Sequence, residues 1–319
     1  MHITIGIATR GRPAILAGVL RDLAGQSRAA DRIIVCHVSA DDITSCEAIP
    51  GVDFITAPAG LPRQRNRILD EARDSDVVLF LDDDFLCNAQ FLAVLESCFE
   101  KHPEMVVATG TVIADGANAP GYDLAEGAAL LAADPGVADV FAVTEAFNGY
   151  GCNMAFRMAA VRAHDIRVDE RLPLYAWYED IDVTRRLGVY GSILRLAGAR
   201  GVHLGAKAGR VPGLRLGYSQ VVNPIYLAIK GSFPWSHAIP SAARHCAKNL
   251  LRSAFPEPWA DRWGRFRGNM IGLWDLLRGR VTPERILELE RTHPAHLPPF
   301  PSGQAIGTSP DQYQEEAQP

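Results

Sequence analysis

The 319-residue sequence lacks the features that mark several large protein classes. It has no excess of positive charge, since its formal net charge is −5, and this disfavours a nucleic-acid-binding protein. No apolar run approaches the ~18 residues that a transmembrane helix needs. No charged and apolar leader precedes Ile3, so no signal peptide is expected.

Paired cysteines and glycine-rich phosphate loops are missing as well. The six cysteines are scattered, which disfavours a zinc site and indicates reduced thiols in the cytoplasm. The first apolar stretch is not followed by a dinucleotide-binding glycine turn, and no phosphate loop ending in Gly-Lys-Ser/Thr occurs. These absences disfavour a dinucleotide-dependent dehydrogenase and a phosphate-loop ATPase.

The clearest positive signal is the stretch from Val77 to Asp84. Its apolar part, Val77 to Leu81, is typical of a strand buried on both faces of a parallel sheet. The acids that follow lie where an open α/β sheet binds its ligands. Because side chains alternate along a strand, Asp82 and Asp84 should point to one side and Asp83 to the other. Two convergent carboxylates suit Mg²⁺ or Mn²⁺ bound to phosphate oxygens, whereas the simpler alternative is a solvated acidic turn.

Strand-like and helix-like segments alternate over the first hundred residues. This predicts an α/β fold with a mostly parallel central sheet and helices on both faces. Polar residues follow the first, second and fourth strands, and in such a sheet these loops share one rim. Arg65 near a helix start suits a phosphate or a base, although a surface position is the plainer alternative. The candidate ligands of a nucleotide diphosphate at this rim are Thr9, Arg10, Ser39, Asp41, Arg65, Asp82 and Asp83.

A second acidic cluster, Glu179-Asp180-Ile181-Asp182, opens an amphipathic helix after Trp177 and Tyr178. Interaction with the helix dipole would explain any one of these acids. Alternatively, the aromatic rings offer platforms for sugars, and a neighbouring carboxylate can accept a proton from a sugar hydroxyl. Asn153 follows glycines and can hydrogen-bond a ligand. His203, between apolar neighbours, is either a structural residue or a Mn²⁺ ligand.

Taken in order, these motifs resemble those of the family 2 glycosyltransferases with the GT-A fold, from about Ile3 to about Lys230. Each motif is weak by itself, but their order along the chain is specific. The matching segments are Thr9-Arg10, Arg65-Asn66, Leu81 to Asp84, Gly151 to Arg157, Glu179 to Asp182 with Arg186-Leu187, His203, and the helix with Asn223 and Lys230.

The resemblance implies a metal-dependent, inverting enzyme. Such an enzyme moves a sugar from a nucleotide-diphosphate-sugar to a hydroxyl of a glycan or lipid-linked acceptor, here expected in bacterial cell-surface polysaccharide synthesis. Asp84 and His203 would bind Mn²⁺ or Mg²⁺, and Asp82 would hold the ribose or the donor sugar. The other rim residues become nucleotide-sugar ligands.

The resemblance also implies an acceptor side. Asp180 would be the general base, and Glu179 would be a second catalytic residue near the acceptor. Asn153, Trp177 and Tyr178 would line the acceptor site.

One departure concerns the nucleotide. The family usually has Asp-Asn-Ser after the second strand, whereas this chain has His37-Val38-Ser39. The acid that often reads uracil is therefore missing, and Asp41 or Asp42 would have to replace it. Two alternatives are a sugar-nucleotide nucleotidyltransferase and a non-catalytic nucleotide-sugar-binding component of an assembly complex.

Composition predicts three parts of the chain. We expect a catalytic domain over residues 1–235, with a nucleotide-binding half at 1–104 and an acceptor-side half at 105–235. Residues 236–292 should form amphipathic helices that mix aromatic residues and arginines. These would pack on the catalytic domain or on a second copy, or else lie on the inner face of the membrane. Residues 293–319 should be disordered.

Overall fold

The computed structural model describes residues 1–46, 49–207, 212–255 and 257–292. The tail predicted to be disordered, 293–319, lies outside these described residues. The described residues form two compact units, Met1–Val211 with Pro258–Ala260, and Pro212–Glu257 with the described residues from Asp261 to Thr292. The functional division at residue 235 stays a prediction.

A nine-stranded sheet organises the first unit. Its strands are β1 (Ile3–Ala8), β2 (Arg32–His37), β3 (Val52–Thr56), β4 (Val77–Asp82), β5 (Phe85–Cys87), β6 (Met105–Asp115), β7 (Val143–Glu145), β8 (Asn153–Arg157) and β9 (Ser192–His203). The order is β3-β2-β1-β4-β8-β6-β9-β5, with β7 also paired to β9. Neighbours are parallel from β3 to β4 and between β6 and β9, whereas β8, β5 and β7 pair antiparallel.

Helices cover both faces of this sheet. They are α1 (Pro13–Leu23), α2 (Leu61–Glu71), α3 (Phe91–Lys101), α4 (Leu124–Ala132), α5 (Met158–Ala163) and α6 (Glu179–Leu187). Strand β4 shows the two faces: Val77, Leu79 and Leu81 pack with residues of α1 and α3, while Val78 and Phe80 pack with those of α2, α5 and α6. The predicted α/β class is therefore confirmed.

The second half of the sheet differs from the sequence expectation. The composition of Val140 to Phe147 predicts extended backbone, but the strand there covers only Val143–Glu145. The sequence likewise predicts a strand from Ser192 to Leu196, yet β9 continues to His203. It continues because its pairing with β6 resumes after a register shift at Gly110/Thr111, which an alanine- and glycine-rich segment does not reveal by composition.

The second unit is helical within its described residues. It contains α7 (Gly213–Lys230), α8 (Trp235–Ser253), α9 (Arg262–Leu277) and α10 (Ile286–Thr292), so the predicted C-terminal helices are confirmed. Helices α7 and α9 approach closely at glycines, since a Cβ on Gly217 would lie 1.9 Å from the Arg265 carbonyl oxygen. None of the described helices has the length and apolar character to cross a membrane.

Candidate functional site

Three ligand-type side chains meet at the end of β4. Asp82 ends that strand, Asp84 lies in the turn to β5, and His203 ends β9. One ligand atom from each lies within 4.8 Å of the others. Nε2 of His203 is 3.5 Å from Oδ1 of Asp84 and 3.9 Å from Oδ2 of Asp82. The sheet brings them together, because Phe85 and His203 are paired in the β5–β9 register.

The donor set of this triad fits a divalent cation. Oδ2 of Asp84 accepts hydrogen bonds from the Ala206 backbone N–H at 2.8 Å and from Arg12 Nη1 at 3.1 Å. Oδ1 of Asp84 is buried and accepts no hydrogen bond from the residues that the structure describes. A buried carboxylate oxygen without a donor is costly unless something else compensates its charge. Two carboxylates and an imidazole nitrogen are suitable ligands for Mn²⁺.

The far side of His203 is held by an acid that we did not select from the sequence. Oδ1 of Asp115 lies 2.9 Å from Nδ1 of His203, and Oδ2 accepts a hydrogen bond from the Tyr150 hydroxyl at 2.6 Å. Burial opposes the charge on both partners, yet the pair lowers the pKa of Asp115 to about 2. Asp84, together with Asp115, raises the pKa of His203 well above its ordinary value despite burial. The only local signal in the sequence is an acid that shortly follows the apolar stretch Val106 to Ile113, much as Asp82 follows Val77 to Leu81.

Asp83 points away from the triad, in line with the alternation of side chains. It is fully buried, accepts a hydrogen bond from Thr9 Oγ1 at 2.6 Å and pairs with Arg12 Nη2 at 2.7 Å. Burial raises its pKa to about 7, although Arg12 opposes this shift. Arg12 bridges Asp83 and Asp84 but was not among the residues that we selected from the sequence. The nucleotide-sugar roles of Thr9 and Asp83 stay predictions.

The outer rim is formed by the loops after β1 and β2. Arg10, Ser39 and Asp41 are exposed there. Their neighbour Asp42 is buried and accepts backbone N–H groups from Gly11, Val38 and Ser39 at 2.7, 3.0 and 2.8 Å. Asp42 therefore fixes the loops to each other, which leaves Asp41 as the acid that faces solvent.

Arg65 links the triad to the second acidic cluster. Its side chain is 2% exposed and its guanidinium contacts Glu179 Oε1, Asp82 Oδ1 at 3.3 Å and the Gly151 carbonyl oxygen at 2.6 Å. Burial raises the pKa of Glu179 to about 8, and Arg65 limits this rise. The structure thus makes Arg65 a buried connection between two acids that are distant in sequence.

Asp180 lies at the start of α6, where the helix dipole favours negative charge. It is half-buried, and its carboxylate accepts backbone N–H groups from Gly151 at 3.0 Å and from Ile181 at 2.9 Å. Burial raises its pKa although both hydrogen bonds lower it. A carboxylate with a raised pKa is better suited to accept a proton.

The loop before α6 is strained and aromatic. Leu174, Ala176 and Tyr178 have φ angles of 61°, 54° and 73°, in the left-handed region that costs non-glycine residues about 1 kcal/mol or more each. Trp177 stacks on Tyr178 with ring centroids 5.1 Å apart, and Tyr175 is exposed. Strained backbone of this kind is concentrated at functional sites. Here the strained loop carries the rings of Tyr175, Trp177 and Tyr178, which shortly precede Asp180 in the sequence.

Asn153 lies inside the sheet. It is 1% exposed, and its Oδ1 accepts hydrogen bonds from Thr109 Oγ1 at 2.9 Å and from the Gly110 N–H at 2.7 Å. These contacts connect β8 to β6. Its acceptor-side role stays a prediction, as do those of Trp177 and Tyr178.

Comparison with known proteins identifies the fold. The crystal structure of residues 1–349 of S. aureus TarS matches with a TM-score of 0.53 and 16% identity, over 91% of this chain and 83% of that one. GalNAc-T7, solved with UDP, GalNAc and Mn²⁺, matches with a TM-score of 0.55 and 12% identity, over 92% of this chain and 58% of that one. A longer TarS structure matches with a TM-score of 0.48 and 16% identity, over 70% of this chain and 40% of that one.

These similarities show that the chain has the GT-A fold, and at such identities they show the fold alone. No protein-family model matches the sequence, and no curated protein matches it. The chain spans less than half of the longer TarS structure and 58% of GalNAc-T7.

Proposed function

We propose that the protein is a metal-dependent, inverting glycosyltransferase that moves a sugar from a nucleotide-diphosphate-sugar to an acceptor hydroxyl. The observation that carries this proposal is the convergence of Asp82, Asp84 and His203 at one end of a GT-A sheet. Arg65 connects that triad to Glu179 beside Asp180, so the acids that we propose for the donor side and for the acceptor side are linked through one side chain.

Each residue has a distinct role in the proposed reaction. A divalent ion held by Asp84 and His203 would neutralise charge on the leaving diphosphate. Asp82 would bind the ribose or the donor sugar, with its orientation fixed by Arg65. Asp180 would accept the proton of the attacking hydroxyl, and Glu179 would stay paired with Arg65 near the acceptor.

The identity of the nucleotide is the next question. GalNAc-T7 was solved with UDP and Mn²⁺, which makes a uridine nucleotide and Mn²⁺ the first pair to test. The usual uracil-reading acid is absent after β2, and Asp42 is occupied by three backbone N–H groups. Asp41 is exposed at the same rim and is the acid that we propose in its place.

A thermal-shift screen of UDP, GDP, ADP and CDP, each with and without Mn²⁺, tests the proposal. One nucleotide should stabilise the protein only with the metal, by roughly 2.7 kcal/mol at one hundred times its Kd. Release of that nucleotide from its sugar conjugate should then be measurable, which a non-catalytic binder would not show. A nucleotidyltransferase would instead join a sugar phosphate to a nucleoside triphosphate. Failure of all four nucleotides to shift the transition would contradict a nucleotide-diphosphate-sugar donor.

The acceptor is proposed to be a glycan or a lipid-linked sugar. Within α8, α9 and their flanking residues, large apolar side chains are exposed next to arginines, and Arg278 lies 4.2 Å over the ring of Trp274. The exposed apolar residues include Leu250, Leu251, Phe255, Trp263, Trp274 and Leu277. Aromatic and basic residues together suit an anionic membrane surface.

Sedimentation with vesicles tests this surface. The full chain should co-sediment with vesicles rich in phosphatidylglycerol and not with neutral ones, and Trp263→Ser with Phe255→Ser should reduce this binding. Dimers in solution that the same substitutions dissociate would instead assign the surface to a second copy of the chain.

A further inference from the structure

We propose that Asp115 is a positioning residue that prepares His203 to bind the metal. The inference rests on the proposed metal dependence of the enzyme. It assigns a function to a carboxylate that neither binds the cation nor reaches the reacting atoms.

The sheet itself places Asp115 behind His203. Asp115 is the last residue of β6, His203 is the last residue of β9, and the two are paired in the parallel register of these strands. Oδ1 of Asp115 lies 2.9 Å from Nδ1 of His203. When Nδ1 carries the proton and donates it to Asp115, the lone pair of Nε2 faces Asp82 and Asp84.

Asp115 is itself held in place from two further directions. Its Oδ1 accepts the Ala117 backbone N–H at 2.8 Å, and its Oδ2 accepts the Tyr150 hydroxyl at 2.6 Å. The ring of Tyr150 also packs edge-on against the imidazole of His203, with centroids 6.2 Å apart. The acid, the phenol and the imidazole therefore form one connected group, in which the ring of His203 has little freedom to rotate.

The energetic consequence concerns metal affinity. Without Asp115 the imidazole could rotate or protonate on Nε2, and either change removes one ligand from the metal. Loss of such an outer partner typically lowers metal affinity about 10–100-fold.

Titration of the full-length protein with Mn²⁺ alone, followed by electron paramagnetic resonance, tests the proposal. Asp115→Ala should weaken Mn²⁺ binding about 10–100-fold, and Asp115→Asn and Tyr150→Phe should weaken it less. Nitrogen NMR of the metal-free protein, at a pH high enough to leave His203 neutral, should show its Nδ1-protonated tautomer in the wild type and a mixture of tautomers in Asp115→Ala. A merely structural role of Asp115 would not change the tautomer.

A matched control is available on the same strand. Asp134 pairs with Arg200, three residues before His203, at 2.5 Å. Asp134→Asn also removes a carboxylate that binds β9, but it should leave Mn²⁺ affinity unchanged.

Two outcomes would overturn the proposal in distinguishable ways. Wild-type affinity and tautomer in folded Asp115→Ala would remove the positioning role and leave the proposed function intact. Failure of the wild type to bind Mn²⁺ or Mg²⁺ would instead contradict the metal dependence itself. Should Asp115→Ala not fold, Asp115→Asn and Tyr150→Phe decide the matter by the same two measurements.

Discussion

The two acidic clusters of the first unit are stabilised in different ways. Asp82, Asp84 and His203 come from strand ends and a turn, and their ligand atoms face one another. Glu179 and Asp180 lie at the start of a helix, where the Arg65 guanidinium and backbone N–H groups bind their oxygens.

The comparison indicates which cluster could take a cation from outside. Glu179 has Arg65 as its hydrogen-bond donor. In the triad, Arg65 contacts Oδ1 of Asp82 and Arg12 contacts Oδ2 of Asp84, but Oδ1 of Asp84 has no hydrogen-bond donor among the described residues. We therefore expect the triad to control metal and nucleotide binding, and the helix cluster to control turnover.

The largest effect is expected from removal of the triad. Asp84→Ala should abolish Mn²⁺ binding and reduce nucleotide-sugar cleavage by roughly 10⁴-fold, because the charge on the leaving diphosphate is no longer neutralised. Mn²⁺ titration and nucleotide release measure the two effects. Glu96→Gln, which removes an acid paired with Arg28 in the same unit, is the control. Metal binding that survives in Asp84→Ala would show that the triad is not the metal site.

A smaller effect on turnover, with binding intact, is expected from the helix cluster. Asp180→Asn should keep Mn²⁺ and nucleotide affinity but lower turnover roughly 10²–10⁴-fold, because the hydroxyl loses its proton acceptor. Steady-state kinetics, with binding measured in parallel, checks this. Activity close to wild type would exclude Asp180 as the base. Loss of metal binding in Asp180→Asn would show that the helix cluster also contributes to metal affinity.

The smallest effect concerns stability and pH. The pKa of Glu179 is raised by burial from 4.5 to about 8, so between these pH values the native chain holds more protons than the unfolded chain. Stability should therefore fall as pH rises through this range.

Glu179→Gln should remove that decline, which amounts to at most about 1.4 kcal/mol for each pH unit between pH 5 and pH 8. Thermal unfolding of both proteins from pH 5 to pH 9 measures it. Parallel curves would show that Glu179 is ionised throughout, as a permanent ion pair with Arg65.

Local sequence patterns predicted those helices and strands whose formation depends on residues close together in the sequence. The apolar run from Val77 to Leu81 corresponds to β4. Apolar residues also recur at helical spacing from Ile15 to Leu23, and this segment lies in α1. The α/β class and the C-terminal helices followed from the same periodicities. The extension of β9 to His203 did not, because it depends on pairing with β6 and not on the propensity of its alanines and glycines.

The sequence by itself determined which chemical groups the protein has. It also indicated that several of them follow the ends of strands, because the periodicities of strands and helices depend on residues only a few positions apart. Only the tertiary structure decided their partners. Asp115 and His203 are 88 residues apart, and Arg65 and Glu179 are 114 residues apart. Strand order and register bring such residues together, and no local pattern encodes either.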